Sequence, residues 1–275
     1  MQFLDSTIIS TSLPQMGVSF GVQPVVMSIG ITVYMLAMAV FVPISGWLAD
    51  RFGARNIFLL AIAVFTLTSL ACGLAQNLSE FVVARAVQGL GGALMTVGRI
   101  LVLRNAPKSE LLGATALITW PALFAPVVGP VLGGFITTYL SWRWNFFVNL
   151  PLGVLGILLV LRFISDQRVE ERRSLDWAGF ALASAGMASL LWGFERVAHP
   201  GDTLHMTVGL IATGIALGSL AIRHLRTTPY PLLDLSAFKV QTFAIATLSA
   251  GTYARMAINV MPFLLPLSFP GRFQP

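Results

Sequence analysis

Residues 27–49 and 57–76 contain no Asp, Glu, Lys or Arg, and only a short charged turn around Asp50–Arg55 lies between them. Each run is long enough to cross a hydrocarbon layer of ~30 Å as a helix. The turn therefore reads as a tight connection between two membrane helices. Composition agrees: 56% of the 275 residues are hydrophobic and 10% charged, against roughly 25% charged in an average soluble domain. A water-soluble fold has no place for that much apolar surface.

The same pattern recurs along the chain. Apolar segments predict helices near residues 27–49, 57–76, 81–103, 112–140, 144–164, 176–197, 205–224 and 240–267. A weaker segment, residues 1–14, precedes them. It is half a span long, is expected to end at Pro14, and suggests a first helix lacking its beginning. With it the expected count is nine.

Lys and Arg positions test that count. With the N-terminus in the cytoplasm, the inside connections hold Arg51, Arg55, Arg104, Lys108, Arg162, Arg168, Arg172, Arg173, Arg223, Arg226 and Lys239. The outside connections hold Arg143 and Arg196. This is the positive-inside asymmetry of membrane helices, and a wrong span count would scramble it. The net charge of +6 therefore orients the chain and forms no aromatic-interleaved nucleic-acid patch. Cys72 is alone, which rules out a disulfide or zinc framework within the chain; it reads as a small buried hydrophobe. Met1–Pro14 lacks the basic start and small-residue cleavage site of a signal peptide.

Polar stretches suggest the organisation. Residues 1–164 form a six-helix bundle, 165–175 a cytoplasmic loop, 176–226 a two-helix insert and 227–275 the opening of a second bundle. The ending Phe269–Pro275 reads as neither a helix nor a charged cytoplasmic end and resembles an interruption.

Four stretches carry more specific information. Gly46-Trp47-Leu48-Ala49-Asp50-Arg51-Phe52-Gly53-Ala54-Arg55 places an acid at a helix end, bases beside it and a glycine where the turn is sharpest. Asp50 could pair with Arg51 or Arg55, or face a neighbouring helix end. Arg85-Ala86-Val87-Gln88-Gly89 opens a stripe in which Arg85, Gly89, Gly92, Thr96 and Arg99 share one helix face. An intramembrane arginine costs at least ~2.5–3.5 kcal/mol on insertion scales and needs a partner, water or a snorkelling path. On the fifth helix, Ala125, Gly129 and Gly133 make a small-x-x-x-small stripe for close packing, while Pro121, Pro126 and Pro130 bend the helix. In Leu4-Asp5-Ser6-Thr7-Ile8-Ile9-Ser10-Thr11-Ser12-Leu13-Pro14, Asp5 is an acid within an apolar helix.

These stretches resemble motifs of the major facilitator superfamily. The charged turn is similar to that family's Gly-x-Leu-Ala-Asp-Arg-x-Gly-Arg-Lys loop, with Ala54 departing and Arg55 replacing the lysine. Arg85–Gly89 resembles its Arg-x-x-Gln-Gly motif. Ala125–Gly134 resembles the Gly-x-x-x-Gly-Pro-x-x-Gly-Gly motif of antiporters. Leu4–Pro14 and Trp142–Gly153 look like the fourteen-helix drug:proton antiporters, with Ser10 and Ser12 replacing Asn and Ala.

The resemblance implies an all-α membrane bundle with about nine of fourteen helices present, in a bacterial inner membrane. It implies proton-coupled export of drugs or other lipophilic or cationic compounds, with no enzymatic step and no cofactor or metal. Partners would be the lipid bilayer, protons and a small-molecule substrate, not nucleic acid; oligomeric state is left open. Asp5 and Arg85 would couple proton to substrate. Gly46, Asp50, Arg51, Gly53 and Arg55 would form a cytoplasmic latch, and Gly129, Pro130, Gly133 and Gly134 a pliable seam. Gln88, Arg99 and Arg255 are candidates for the cavity wall. The competing expectation is a truncated remnant that does not transport.

Overall fold

The computed structural model describes residues 1–107, 109–165, 174–197, 204–245, 247, 252 and 253. The helices are α1 (Gln2–Phe20), α2 (Pro24–Met27), α3 (Ile29–Phe52), α4 (Ala54–Leu74), α5 (Leu78–Met95), α6 (Val97–Asn105), α7 (Leu111–Tyr139), α8 (Trp144–Phe147), α9 (Asn149–Phe163), α10 (Trp177–Val197), α11 (Leu204–Thr227) and α12 (Gln241–Ile245), with a 3-10 turn at Leu235–Lys239 before the last. No strand occurs among the described residues.

Six helical stretches are long and apolar enough to cross a membrane: Pro24–Phe52, Ala54–Leu74, Leu78–Arg104, Trp144–Phe163, Trp177–Val197 and Leu204–Thr227. A seventh consists of Leu111–Ala125 and Val127–Tyr139, bent by 44° at the proline-rich break. Pro121 and Pro130 flank that break, each withholding a backbone donor. Together with α1 these account for eight of the nine expected helices. The ninth, 240–267, lies mostly outside the described residues, as does Arg255.

One boundary differs from expectation. Pro14 does not end the first helix: α1 continues through it to Phe20 and closes on Gly21, at φ 68°. The proline forfeits one backbone bond, but the turns beyond it are held laterally. Gln15 donates to the Thr137 carbonyl and accepts from the Trp142 backbone N–H, and the Trp142 indole donates to Ser19. Tertiary bonds thus outweigh a local helix breaker.

The small stripe on α7 faces α1. A side chain at Gly129 would collide with Thr7, and one at Gly133 with Thr11 and Ile8. The close approach lets the Thr7 hydroxyl reach the Ala125 carbonyl at 3.2 Å. α5 packs between α3 and α4, α9 lies on α4, and α10 pairs with α11 and docks on α3. The Ser184 hydroxyl donates to the Val40 carbonyl, and Thr32 donates to Glu195.

Two apolar clusters divide the interior. One gathers Ile9, Met16, Cys72, Phe81, Ala84, Trp142 and Phe146; the other gathers Ala49, Ile57, Ala61, Leu94 and Val97 beside the α3–α4 turn. Along α5, Phe81 and Ala84 belong to the first and Leu94 to the second. Arg85 and Gln88 fall between them.

Candidate functional site

The gap between the clusters holds a polar core. Arg85 is 0% and Asp5 3% exposed, the only charged residues among the buried described ones. Arg85 Nη1 donates to Asp5 Oδ2 at 2.7 Å and to Gln88 Oε1 at 2.6 Å, while Nε donates to the Gly30 carbonyl at 3.2 Å. The guanidinium carbon lies 4.2 Å from the centre of the Tyr34 ring. The arginine is therefore not snorkelling; its charge is answered by an anion, two carbonyl oxygens and an aromatic face.

Asp5 Oδ1 accepts from Asn149 Nδ2 at 3.2 Å and from Gln88 Nε2 at 3.5 Å. Asn149 Nδ2 also donates to Ser69 Oγ at 3.0 Å, and Ser69 donates to the Phe146 carbonyl at 3.0 Å. Thus α1, α3, α4, α5 and α9 all contribute to one site around a single carboxylate. Glycine makes that convergence possible: a Cβ at Gly89 would strike the Tyr34 carbonyl oxygen, and one at Gly92 would sit 2.8 Å from the Tyr34 hydroxyl. Small residues on α5 let α3 come close enough to place Tyr34 beneath Arg85.

Arg99 does not join this core. It is exposed on α6, where the span continues past a local break at Thr96. Tyr34, Ser69 and Asn149 are the members that sequence inspection missed. Only the Asn149-Leu150-Pro151 stretch offered a signal, through its place in the motif entering the sixth expected helix.

The charged turn forms a second, exposed site. Gly53 takes φ 89°, where the chain reverses between α3 and α4. Asp50 pairs neither with Arg51 nor with Arg55. Its partner is Arg104 in the last turn of α6, at 2.8 Å, which is the neighbouring-helix alternative. Arg51 stacks near the Trp47 ring at 5.6 Å, and Arg55 donates to the Leu161 carbonyl at 3.1 Å. Asp50 thus ties the turn to α6 and Arg55 ties it to α9, while the contact of Arg51 stays within α3. Gly46 has open space around its Cα, as does Gly134 on α7.

A third cluster stands at the start of α10. Asp176 Oδ1 accepts from the Gly179 backbone N–H and contacts His224 Nε2, both at 2.8 Å; Oδ2 accepts from the Leu232 N–H at 3.4 Å. Burial pushes the Asp176 carboxyl upward, but the bonds from Gly179, His224 and Leu232 outweigh it and hold it below its ordinary value. A cavity of about 350 Å³ joins this cluster to the charged turn, touching Asp50, Arg51, Asp176, Tyr230 and Asp234. No grouping of His, Cys, Asp and Glu suited to a metal occurs among the described residues.

Comparison with known proteins finds likenesses in sequence and in fold. The profile of the Major Facilitator Superfamily matches residues 1–271. MdtD, a candidate multidrug resistance protein of Escherichia coli O139:H28 (strain E24377A / ETEC), is 39% identical over 269 residues, covering 97% of this chain and 56% of MdtD. MdtD of Shigella flexneri matches to the same extent. The chain thus spans little more than half the length of these relatives. Among solved structures, the human organic anion transporter MFSD10 (TETRAN) superposes with a TM-score of 0.50 at 15% identity, covering 76% of this chain and 57% of that one. That likeness concerns the fold.

Proposed function

This chain belongs to the major facilitator superfamily, and on that premise we propose that it forms the proton-coupling half of a drug exporter. Cargo would be lipophilic or cationic compounds, driven outward across a bacterial inner membrane by proton influx. The N-terminus and the α3–α4 turn face the cytoplasm in this scheme, as the arginine distribution favours. Residues 1–164 act as one bundle, 165–175 as a cytoplasmic loop, 176–226 as a two-helix insert, and 227–275 as the approach to a second bundle.

The observation that carries the proposal is the buried Asp5–Arg85 pair at 2.7 Å. An ion pair removed from water contributes little net stability, because desolvation cancels most of the attraction. Within membrane helices, ionisable residues mark transport paths and proton relays. A carboxylate that alternately holds a proton and faces a cation couples the two flows by competition. Arg85 keeps the anionic form from being stranded, with Gln88 completing the wall. The bent α7, seamed against α1 at Gly129 and Gly133 with Pro130 and Gly134 beside them on the same stretch, supplies a pliable contact for rocking of the α1–α7 face. Asp50, with Arg51, Gly53 and Arg55, locks the turn to α6 and α9 and is released when the bundle tilts.

The test is Asp5→Asn in the gene product that carries these residues. Efflux of a cationic dye from energised inverted vesicles should be lost while membrane insertion and expression persist. Unchanged proton-driven efflux in that variant removes Asp5 from the mechanism.

A further inference from the structure

The two oxygens of Asp5 face donors from different helices. Oδ2 receives Arg85 Nη1 from α5; Oδ1 receives Asn149 Nδ2 from α9, with Gln88 Nε2 behind it at 3.5 Å. A proton arriving at this carboxylate must settle on one of those oxygens, where it meets a donor instead of an acceptor.

Three neighbours could respond, and two are prevented. Arg85 has no lone pair with which to accept a proton's hydrogen bond. Gln88 has a carbonyl oxygen, but Arg85 Nη1 occupies it at 2.6 Å, so its amide is pinned. Asn149 is different. Its amide oxygen and nitrogen are nearly isosteric, and its terminal torsion has two equivalent settings. A half turn would bring Oδ1 to the place now held by Nδ2, between Asp5 Oδ1 and Ser69 Oγ. Both of those groups can then donate to it: the new acid O–H of Asp5, and the Ser69 hydroxyl once it rotates away from the Phe146 carbonyl.

We propose that Asn149 and Ser69 form a proton-linked amide switch. Asn149 donates to the Asp5 anion, turns to accept from the Asp5 acid, and through Ser69 changes the hold on Phe146 next to the α8–α9 break. The step balances: one proton binds Asp5 Oδ1, its charge is neutralised, and every other change is a rotation. The titratable or charged groups facing Asp5 are Arg85 from α5, Tyr34 from α3, Cys72 from α4 through Gln88, and the Met1 amino group from α1 itself. Arg85 and the amino group can only donate, and the Tyr34 hydroxyl and Cys72 thiol, which could donate and accept, make no hydrogen bond to Asp5. The inference rests on the reading that Asp5 takes up a proton during transport, and gives that event a structural receiver.

Infrared difference spectra between acidic and alkaline pH, recorded on the purified protein, test it. A carboxylic C=O band missing in Asp5→Asn belongs to Asp5. In Asn149→Leu that band should remain but move to higher frequency, because the acid O–H has lost its acceptor. The side-chain amide signal that accompanies it in the unaltered protein should vanish. Ser69→Ala, which leaves Asn149 in place, should move the same band in the same direction by less, and carries the test alone if Asn149→Leu does not fold. An Asp5 band at unchanged frequency in the interpretable variants overturns the switch and leaves proton coupling standing. Absence of any Asp5 band in the unaltered protein overturns both.

Discussion

Two acid–arginine pairs in this molecule share a geometry and differ in everything around it. Arg85–Asp5 closes at 2.7 Å with side chains 0% and 2% exposed; Arg104–Asp50 closes at 2.8 Å with side chains 46% and 45% exposed. Water screens the second pair, so its net worth is about 0–1 kcal/mol. The first is cut off from water, so its attraction is strong and its desolvation cost is comparably large. Intact, neither pair contributes much to stability. Broken, they behave very differently, because a stranded charge at Arg104 is hydrated and a stranded charge at Arg85 is not.

The largest effect should come from breaking the buried pair on one side. Arg85→Gln removes the partner of a buried carboxylate and should cost about 3–5 kcal/mol, read as a large drop in thermal unfolding midpoint of the detergent-solubilised protein. Adding Asp5→Asn should return most of that loss, since two neutral amides can hydrogen-bond to each other, to Gln88 and to Asn149. A double variant no more stable than the single one would show that the pair's own attraction holds the bundle together. Recovery of stability without recovery of efflux is the expected pattern, and it separates folding from coupling.

The contrast also explains what could be read from the sequence. Helix positions were legible because span length and charge exclusion are set by the bilayer and need no tertiary information. Asp5 and Arg85 stood out as charges inside apolar runs, which membrane energetics makes rare. Tyr34, Ser69 and Asn149 were not legible, since an uncharged polar residue in a span is commonplace and only packing reveals which carboxylate it meets. Pro14 misled for the same reason: its local cost was visible, while Thr137 and Trp142, whose bonds to Gln15 and Ser19 offset it, lay in distant segments. Likewise Asp50 had two bases nearby in sequence, and its partner Arg104 came from another helix.

A smaller effect is expected at the Asp176 cluster, which is intermediate between the two pairs in setting. Its carboxyl is held below the ordinary value by hydrogen bonds from Gly179, His224 and Leu232. A depressed acid contributes stability that is complete above its unfolded value, about 3.9, and fades as pH falls through the lower folded value. The attachment of Leu232 to the base of α10 should therefore persist at neutral pH and loosen only in strong acid. Asp176→Asn keeps the shape but loses the charge, and should cost about 1–2 kcal/mol, near the range for a hydrogen bond to a charged group. Amide hydrogen exchange across residues 229–235 measures it: faster exchange in Asp176→Asn at neutral pH is expected, and identical protection would mean the segment is held by other contacts.

The smallest effect on stability belongs to the exposed pair, and there the comparison with Asp5 is sharpest. Asp50→Asn leaves Arg104 free to turn into water, so the unfolding midpoint should move by no more than about 1 kcal/mol allows. If the turn serves as a latch, its contribution lies in the balance between two tilts of the bundle, and a bias of 1 kcal/mol changes that balance about fivefold. Accessibility of a cysteine placed at Ala54, labelled from each side of oriented vesicles, should then shift several-fold in Asp50→Asn while stability stays put. High salt should mimic the variant, because ions screen the exposed pair and leave the Asp5–Arg85 pair untouched. A labelling rate indifferent to both the substitution and salt would reduce the Asp50–Arg104 contact to a surface ornament, and confine the working electrostatics of this chain to its buried carboxylate.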